Sequence, residues 1–162
     1  MPDTQALEFL RRCLSSFGGA AEWNNYRARN GPFDLTQADL RGADLKNYNF
    51  SRCNLNAAQF FNADLSGADL TEANLSYANL QRVNLANAYL AGANLQVAQL
   101  QGANVVNASL ERADLRAAHA RGAYFTGSDL SGADLSGADF RGAALKFAKV
   151  TGANVQGMKV ED

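Results

Sequence analysis

The chain has 162 residues, 47% of them apolar, and its 15 lysines and arginines stand against 16 aspartates and glutamates for a net charge of −1. That apolar share excludes a disordered chain, and the even charge excludes broad electrostatic attraction to nucleic acid or an anionic membrane. Two prolines exclude a proline-rich linker, and no stretch approaches the roughly 20 apolar residues of a membrane span.

The start, Met1-Pro2-Asp3-Thr4, lacks the basic segment and apolar run of a secretory signal. The two cysteines, Cys13 and Cys53, match no metal spacing and read as reduced, small apolar residues. Together these predict a cytoplasmic protein. Leu7, Leu10, Leu14 and Phe17 are spaced three, four and three apart, which is one face of a helix. Asp3 or Thr4 is placed to cap its start, and Gly18-Gly19 to stop it. A second short helix, about 20–29, carries Trp23 and Tyr26 and ends at Asn30-Gly31-Pro32. Residues 1–32 are therefore expected to form a helical cap on the rest of the chain. Its contacts would be Leu7, Leu10, Leu14, Phe17, Trp23 and Tyr26. The alternative is a helix pair that binds a partner.

From residue 33 to residue 162 the sequence repeats every five residues without a slip. Reading each multiple of five from Leu35 to Val160 as a centre gives 26 units, of which 17 centres are Leu, four Phe, four Val and one Ala120. Two positions before the centre, 20 of the 26 residues are Ala; one position before it, 17 are Asp or Asn. Two positions after it fall 11 of the 14 glycines. A period of five fits neither a continuous helix nor a continuous strand. Within the unit the small and large apolar residues are two apart, so an extended piece would put them on one face. Asn, Asp and Gly at the flanks suit a turn. The expectation is an all-β solenoid of very short strands, each unit stable only through its neighbours.

The pattern A-(D/N)-L-x-x, clean in Ala68-Asp69-Leu70-Thr71-Glu72 and Ala133-Asp134-Leu135-Ser136-Gly137, resembles the pentapeptide-repeat proteins. The Trp23-to-Arg27 stretch resembles the leader of cyanobacterial members. The resemblance implies a right-handed quadrilateral parallel β-helix over 33–162, about 6.5 coils of four units, with roughly 4.8 Å between coils. Residues twenty apart would then stack, placing Asn54, Asn74, Asn94, Asp114, Asp134 and Asn154 in one column whose amides bond from coil to coil. The last coil carries no lid. Either Lys159, Glu161 and Asp162 blunt its edge with charge, or a second copy covers it as a homodimer.

No residue set points to catalysis. His119, the sole histidine, is predicted to face outward, and an enzyme would need a deep pocket around it. The aspartates are the default of their repeat position, no glycine fingerprint cradles phosphate, and no metal, cofactor or catalytic residue is expected. Outward charge by face, each face named by its centres, is +1 for Leu40–Val160, 0 for Leu45–Leu145, −1 for Phe50–Val150 and −2 for Leu35–Val155. Some pentapeptide-repeat proteins bind DNA gyrase, a topoisomerase, as duplex mimics. A duplex carries one charge per about 1.7 Å, far denser than this surface. Val106, Tyr124 and Phe147 share the nearly uncharged Leu45–Leu145 face, and clustered outward apolar groups mark an interaction site. The sequence therefore predicts a non-catalytic protein–protein interaction or scaffold module, with gyrase mimicry and an enzyme of unknown class as the second and third readings.

Overall fold

The structure, a computed structural model, describes residues 1–161. The chain begins with helix α1, Thr4–Leu14. Asp3 caps it: its side chain accepts the Ala6 N–H at 2.9 Å, satisfying a donor the helix cannot pair internally. Arg11 and Arg12 lie in its last turn, where cations offset the carbonyl end of the helix dipole. The helix closes at Ser15, and Gly18 then takes a left-handed φ of +83° at the entry to α2, Gly19–Asn30. Gly19 permits the tight return: a Cβ there would stand 1.8 Å from the Cys13 carbonyl oxygen.

Leu10 and Trp23 are fully buried, and Leu7, Leu14 and Tyr26 pack part-buried against the same core. Phe17 does not join them. It is fully exposed, because α1 stops before reaching it and the turn into α2 points it away. Ala6, Cys13 and Phe9 fill the helix contacts instead.

The expected all-β solenoid does not hold. Among the described residues the only regular elements are the two helices; there is no β-strand or sheet. The expected β-helix, with its quadrilateral section and coil count, falls with it. The units meet through isolated parallel bridges, each a single residue wide, from Asp34↔Asn54 to Asp139↔Lys159. The reason is the turn. Only the residue before each centre bridges its counterpart twenty residues on, and the chain turns again before a second consecutive residue can extend the ladder.

Each turn is closed by a bond from the residue two before a centre to the preceding centre's carbonyl, such as Ala58 N–H to Leu55 at 3.0 Å. The residue two after the centre has positive φ at every fifth position from 37 to 157. That is the demand of a type II turn, and it explains why glycines collect there. Successive twenty-residue returns are tied by backbone bonds such as Leu55 N–H to Asn74 O at 2.8 Å and Asn74 N–H to Cys53 O at 3.0 Å. Inside, the centres from Leu35 to Phe140 and the alanines before them are buried, Ala43 alone only partly; each buried leucine contributes about 1.5–3 kcal/mol. Phe125 and Phe140 meet at 5.0 Å between ring centroids, and Ala120, the smallest centre, is fully buried.

The amide column forms in segments. Asn74 Nδ2 donates to Asn54 Oδ1 at 3.1 Å, and Asn154 Nδ2 to Asp134 Oδ1 at 3.1 Å. Between them Asp114 is held otherwise, by Gln96 and by both nitrogen branches of Arg116.

Candidate interaction surface

The two edges of the repeat body differ. At the first return the helices satisfy the backbone directly. Trp23 Nε1–H donates to the Asn49 carbonyl at 2.8 Å. Asn24 bonds in both directions, donating to the Asn47 carbonyl at 3.0 Å and accepting the Asn49 N–H at 2.7 Å. Arg27 donates to the carbonyl and hydroxyl of Ser51, and the Asp3 N–H to the Asp34 carbonyl at 2.6 Å. Trp23 also meets the Phe33 and Phe50 rings at 5.4 and 5.5 Å. Sequence reading missed Asn24 and Arg27. Their signal was present: polar residues beside the tryptophan, within the very stretch that resembles a leader.

At the last return nothing described covers the interior. Val150, Val155 and Val160 are each about half exposed (50%, 49% and 49%) although they occupy centre positions. Leu145, Ala148, Ala153 and Met158 are only partly buried. Lys159 and Glu161 lie at this edge; Asp162, expected to help blunt it, lies outside the described residues.

The neighbouring Leu45–Leu145 face holds the sequence-predicted surface. Tyr124 is 55% exposed and bridges Asn104 on one side and Ala144 on the other. Phe147 is 76% exposed, has a φ of +62°, and lies under the Lys146 ammonium at 4.8 Å. A bulky residue in the left-handed region is strained. Val106 is half-buried rather than exposed, and its N–H is tied to Asn104 Oδ1 at 3.3 Å. The structure thus places Tyr124 and Phe147 as exposed rings on consecutive returns, with Val106 one return earlier, recessed at their margin. No ring contact joins Tyr124 and Phe147 among the described residues.

The charged groups are occupied by the fold. The Arg41 side chain and then its backbone N–H bond to Asp39 and bring its pKa from 3.8 to about 2. The Arg141 guanidinium holds Asp139 still lower. Asp34, Asp129 and Asp134 are each lowered first by the side chain two residues on, Thr36, Ser131 and Ser136 in turn. These are turn-bonding carboxylates. A shallow groove of about 560 Å3 on the corner after the Phe50–Val150 face holds Glu72, Glu111 and Arg112. Its Glu72 is paired with Arg52 at 2.8 Å and its Glu111 with the Ser109 hydroxyl. His119 is exposed and bridged between Gln99 and Asp139. Among the described residues no three His, Cys, Asp or Glu side chains converge as a metal site would require. Burial raises both thiols above their ordinary value, with the Glu22 carboxylate adding to it at Cys13; both cysteines are free and buried.

The pentapeptide-repeat family model matches within residues 34–157, in eight copies. Among solved structures the chain is similar to HetL of the cyanobacterium Nostoc sp. strain PCC 7120, a pentapeptide-repeat protein involved in regulating heterocyst differentiation. The two are 29% identical over 76% of this chain and 70% of that one, with a TM-score of 0.46. It is also similar to alr5209, a pentapeptide-repeat protein of Nostoc PCC 7120, at 30% identity over 57% of this chain and 84% of that one, TM-score 0.31. QnrB1, a plasmid-mediated fluoroquinolone resistance protein, is 22% identical over 80% of this chain and 78% of that one, TM-score 0.35. No curated protein matches. The extent of the family match shows that the chain belongs to the pentapeptide-repeat proteins.

Proposed function

We propose that this pentapeptide-repeat protein is a protein–protein interaction or scaffold module of the cytoplasm, and that it engages its partner through Tyr124 and Phe147 on the Leu45–Leu145 face. The observation that carries the reading is the pair of large rings, Tyr124 55% and Phe147 76% exposed, left in solvent on a nearly uncharged face. Exposed apolar groups gathered on one face mark an interaction site. The body behind it is tied by backbone bonds at every return, so the surface is preorganised and binding orders little. No helix among the described residues is long and apolar enough to cross a membrane.

A second reading, self-association through the edge at Val150, Val155 and Val160, is favoured by the exposure of residues that belong to the interior. Gyrase mimicry finds no support in the near-neutral charge.

The test is affinity capture from native lysate with the wild type beside a Tyr124→Ser, Phe147→Ser double variant, each also sized by light scattering. A partner held by the wild type and lost by the variant is expected. Equal capture by both proteins would overturn the assignment of this face, and a monomeric mass at high concentration would end the second reading.

A further inference from the structure

The helices carry a second surface, on the flank of the pair beside its core-facing side. Ala6, Leu10, Cys13 and Trp23 face the core. The adjoining stripes are Gln5, Glu8, Phe9 and Arg12 on α1, and Glu22, Asn25, Tyr26 and Arg29 on α2, with Phe9 and Tyr26 half-buried at the seam with the core. Each stripe follows the spacing of one helix face. Phe9 and Tyr26 stack across the helix pair, 4.1 Å between centroids and 16° from parallel, and the Arg12 guanidinium lies 4.5 Å above the Phe9 ring. Beside this stack runs an open groove of about 460 Å3, rimmed by Arg12 and Arg29 and by the Glu22 and Asn25 side chains.

The electrostatics of the groove are unbalanced. Arg12 and Arg29 are both exposed, and neither forms an ion pair among the described residues. On the repeat body, by contrast, Arg41, Arg52, Arg116 and Arg141 each hold a carboxylate within 2.8 Å. The one carboxylate of the groove, Glu22, is 4.0 Å from the Cys13 thiol. A planar apolar floor beside two guanidinium groups that hold no carboxylate suits a carboxylate-bearing side chain flanked by apolar ones. Arginine pairs such a carboxylate with two parallel N–H bonds, and the exposed Asn25 amide is placed to bond peptide backbone.

We propose that this groove docks an acidic segment of a partner protein. It is remote in sequence from Tyr124 and Phe147, so the two surfaces stand or fall separately. Glu22 at the rim selects against nucleic acid, whose every unit is anionic, and the two arginines against one carboxylate admit a peptide whose charges are spaced.

The probe is a short fluorescein-labelled peptide of glutamate and leucine, titrated with the full chain and followed by anisotropy at low and physiological salt. Saturable binding that weakens with salt is expected. The Arg12→Glu, Arg29→Glu double variant should lose about tenfold or more in affinity, the equivalent of 1.4 kcal/mol. Arg82→Glu, a charge reversal on the repeat body, should leave binding unchanged, as should Tyr124→Ser with Phe147→Ser. Emission of the buried Trp23 reports that each variant keeps its helices in place. No saturable binding, equal weakening by Arg82→Glu, or a DNA duplex binding as tightly as the peptide would each overturn the proposal.

Discussion

The two edges of the repeat body pose the same physical problem and meet it differently. Each ends a stack whose interior is leucine and alanine and whose backbone groups expect a neighbour. At the first return, Trp23, Asn24 and Arg27 stand in for the missing one, pairing its carbonyls and covering the Phe33 and Phe50 rings. At the last return the valines at 150, 155 and 160 remain half exposed. The difference teaches that regular repeats do not set stability evenly: a residue at a centre position is worth what covers it. Trp23→Ala should cost about 3–5 kcal/mol, since it removes a fully buried ring and orphans the Asn49 carbonyl. Val155→Ala at the other edge, by the same reasoning, should change stability by less than about 0.5 kcal/mol. Urea unfolding of both variants measures the contrast. Equal losses would mean that the helices do not act as a lid.

The comparison sharpens at the turns. Every fifth residue from 37 to 157 has positive φ, yet many of these residues are not glycine. Val97 is the clearest misfit in the middle of the body: a β-branched side chain at φ +57°. The left-handed region costs a non-glycine residue about 1–2 kcal/mol, and glycine gives back about 0.5–1 kcal/mol through its freer unfolded state. Val97→Gly should therefore stabilise the chain by about 0.5–1 kcal/mol, read as a higher denaturation midpoint. A loss of stability would show that Val97 packs well enough to outweigh its strain.

These cases mark what was legible in the sequence. The first helix was readable from Leu7, Leu10 and Leu14, because apolar spacing reports one face. Phe17 continued the same spacing but fell past the stop, and spacing alone cannot tell a helix residue from the next turn. The cap was readable from residue type only as Asp3 or Thr4, and the Ala6 N–H bond assigns it to Asp3. The repeat fixed which residues go inside, since size and polarity alternate in every unit. It did not fix strands. Apolar residues two apart predict a shared face, but a strand also needs consecutive paired residues, and the turn leaves one bridge per unit. Of the candidate surface, Tyr124 and Phe147 were legible as outward apolar residues. The half-burial of Val106 was not, because it depends on which neighbours crowd it one return away. Asn24 and Arg27 were missed because side chain-to-backbone capping leaves no periodic trace.

The smallest expected effect compares one ion pair near each edge. Asp39 with Arg41 and Asp139 with Arg141 have the same spacing and the same pair of side-chain bonds, at 2.7 to 2.9 Å. In both, the folded carboxyl titrates below its ordinary 3.8, to about 2 at Asp39 and lower at Asp139. The unfolded chain therefore binds the proton first as pH falls, so the contribution is fully present above about pH 4 and is lost as pH drops toward 2. Asp39→Asn and Asp139→Asn should each lower the melting temperature slightly at neutral pH, and the gap from wild type should close in acid. Both pairs are solvent-screened, so the shift should be small. It should be the larger at Asp139, whose side chain is 17% exposed against 53% for Asp39, because a carboxylate further from water is less screened. A gap that widened in acid would mean that the aspartates act through packing of the turn rather than through their charge.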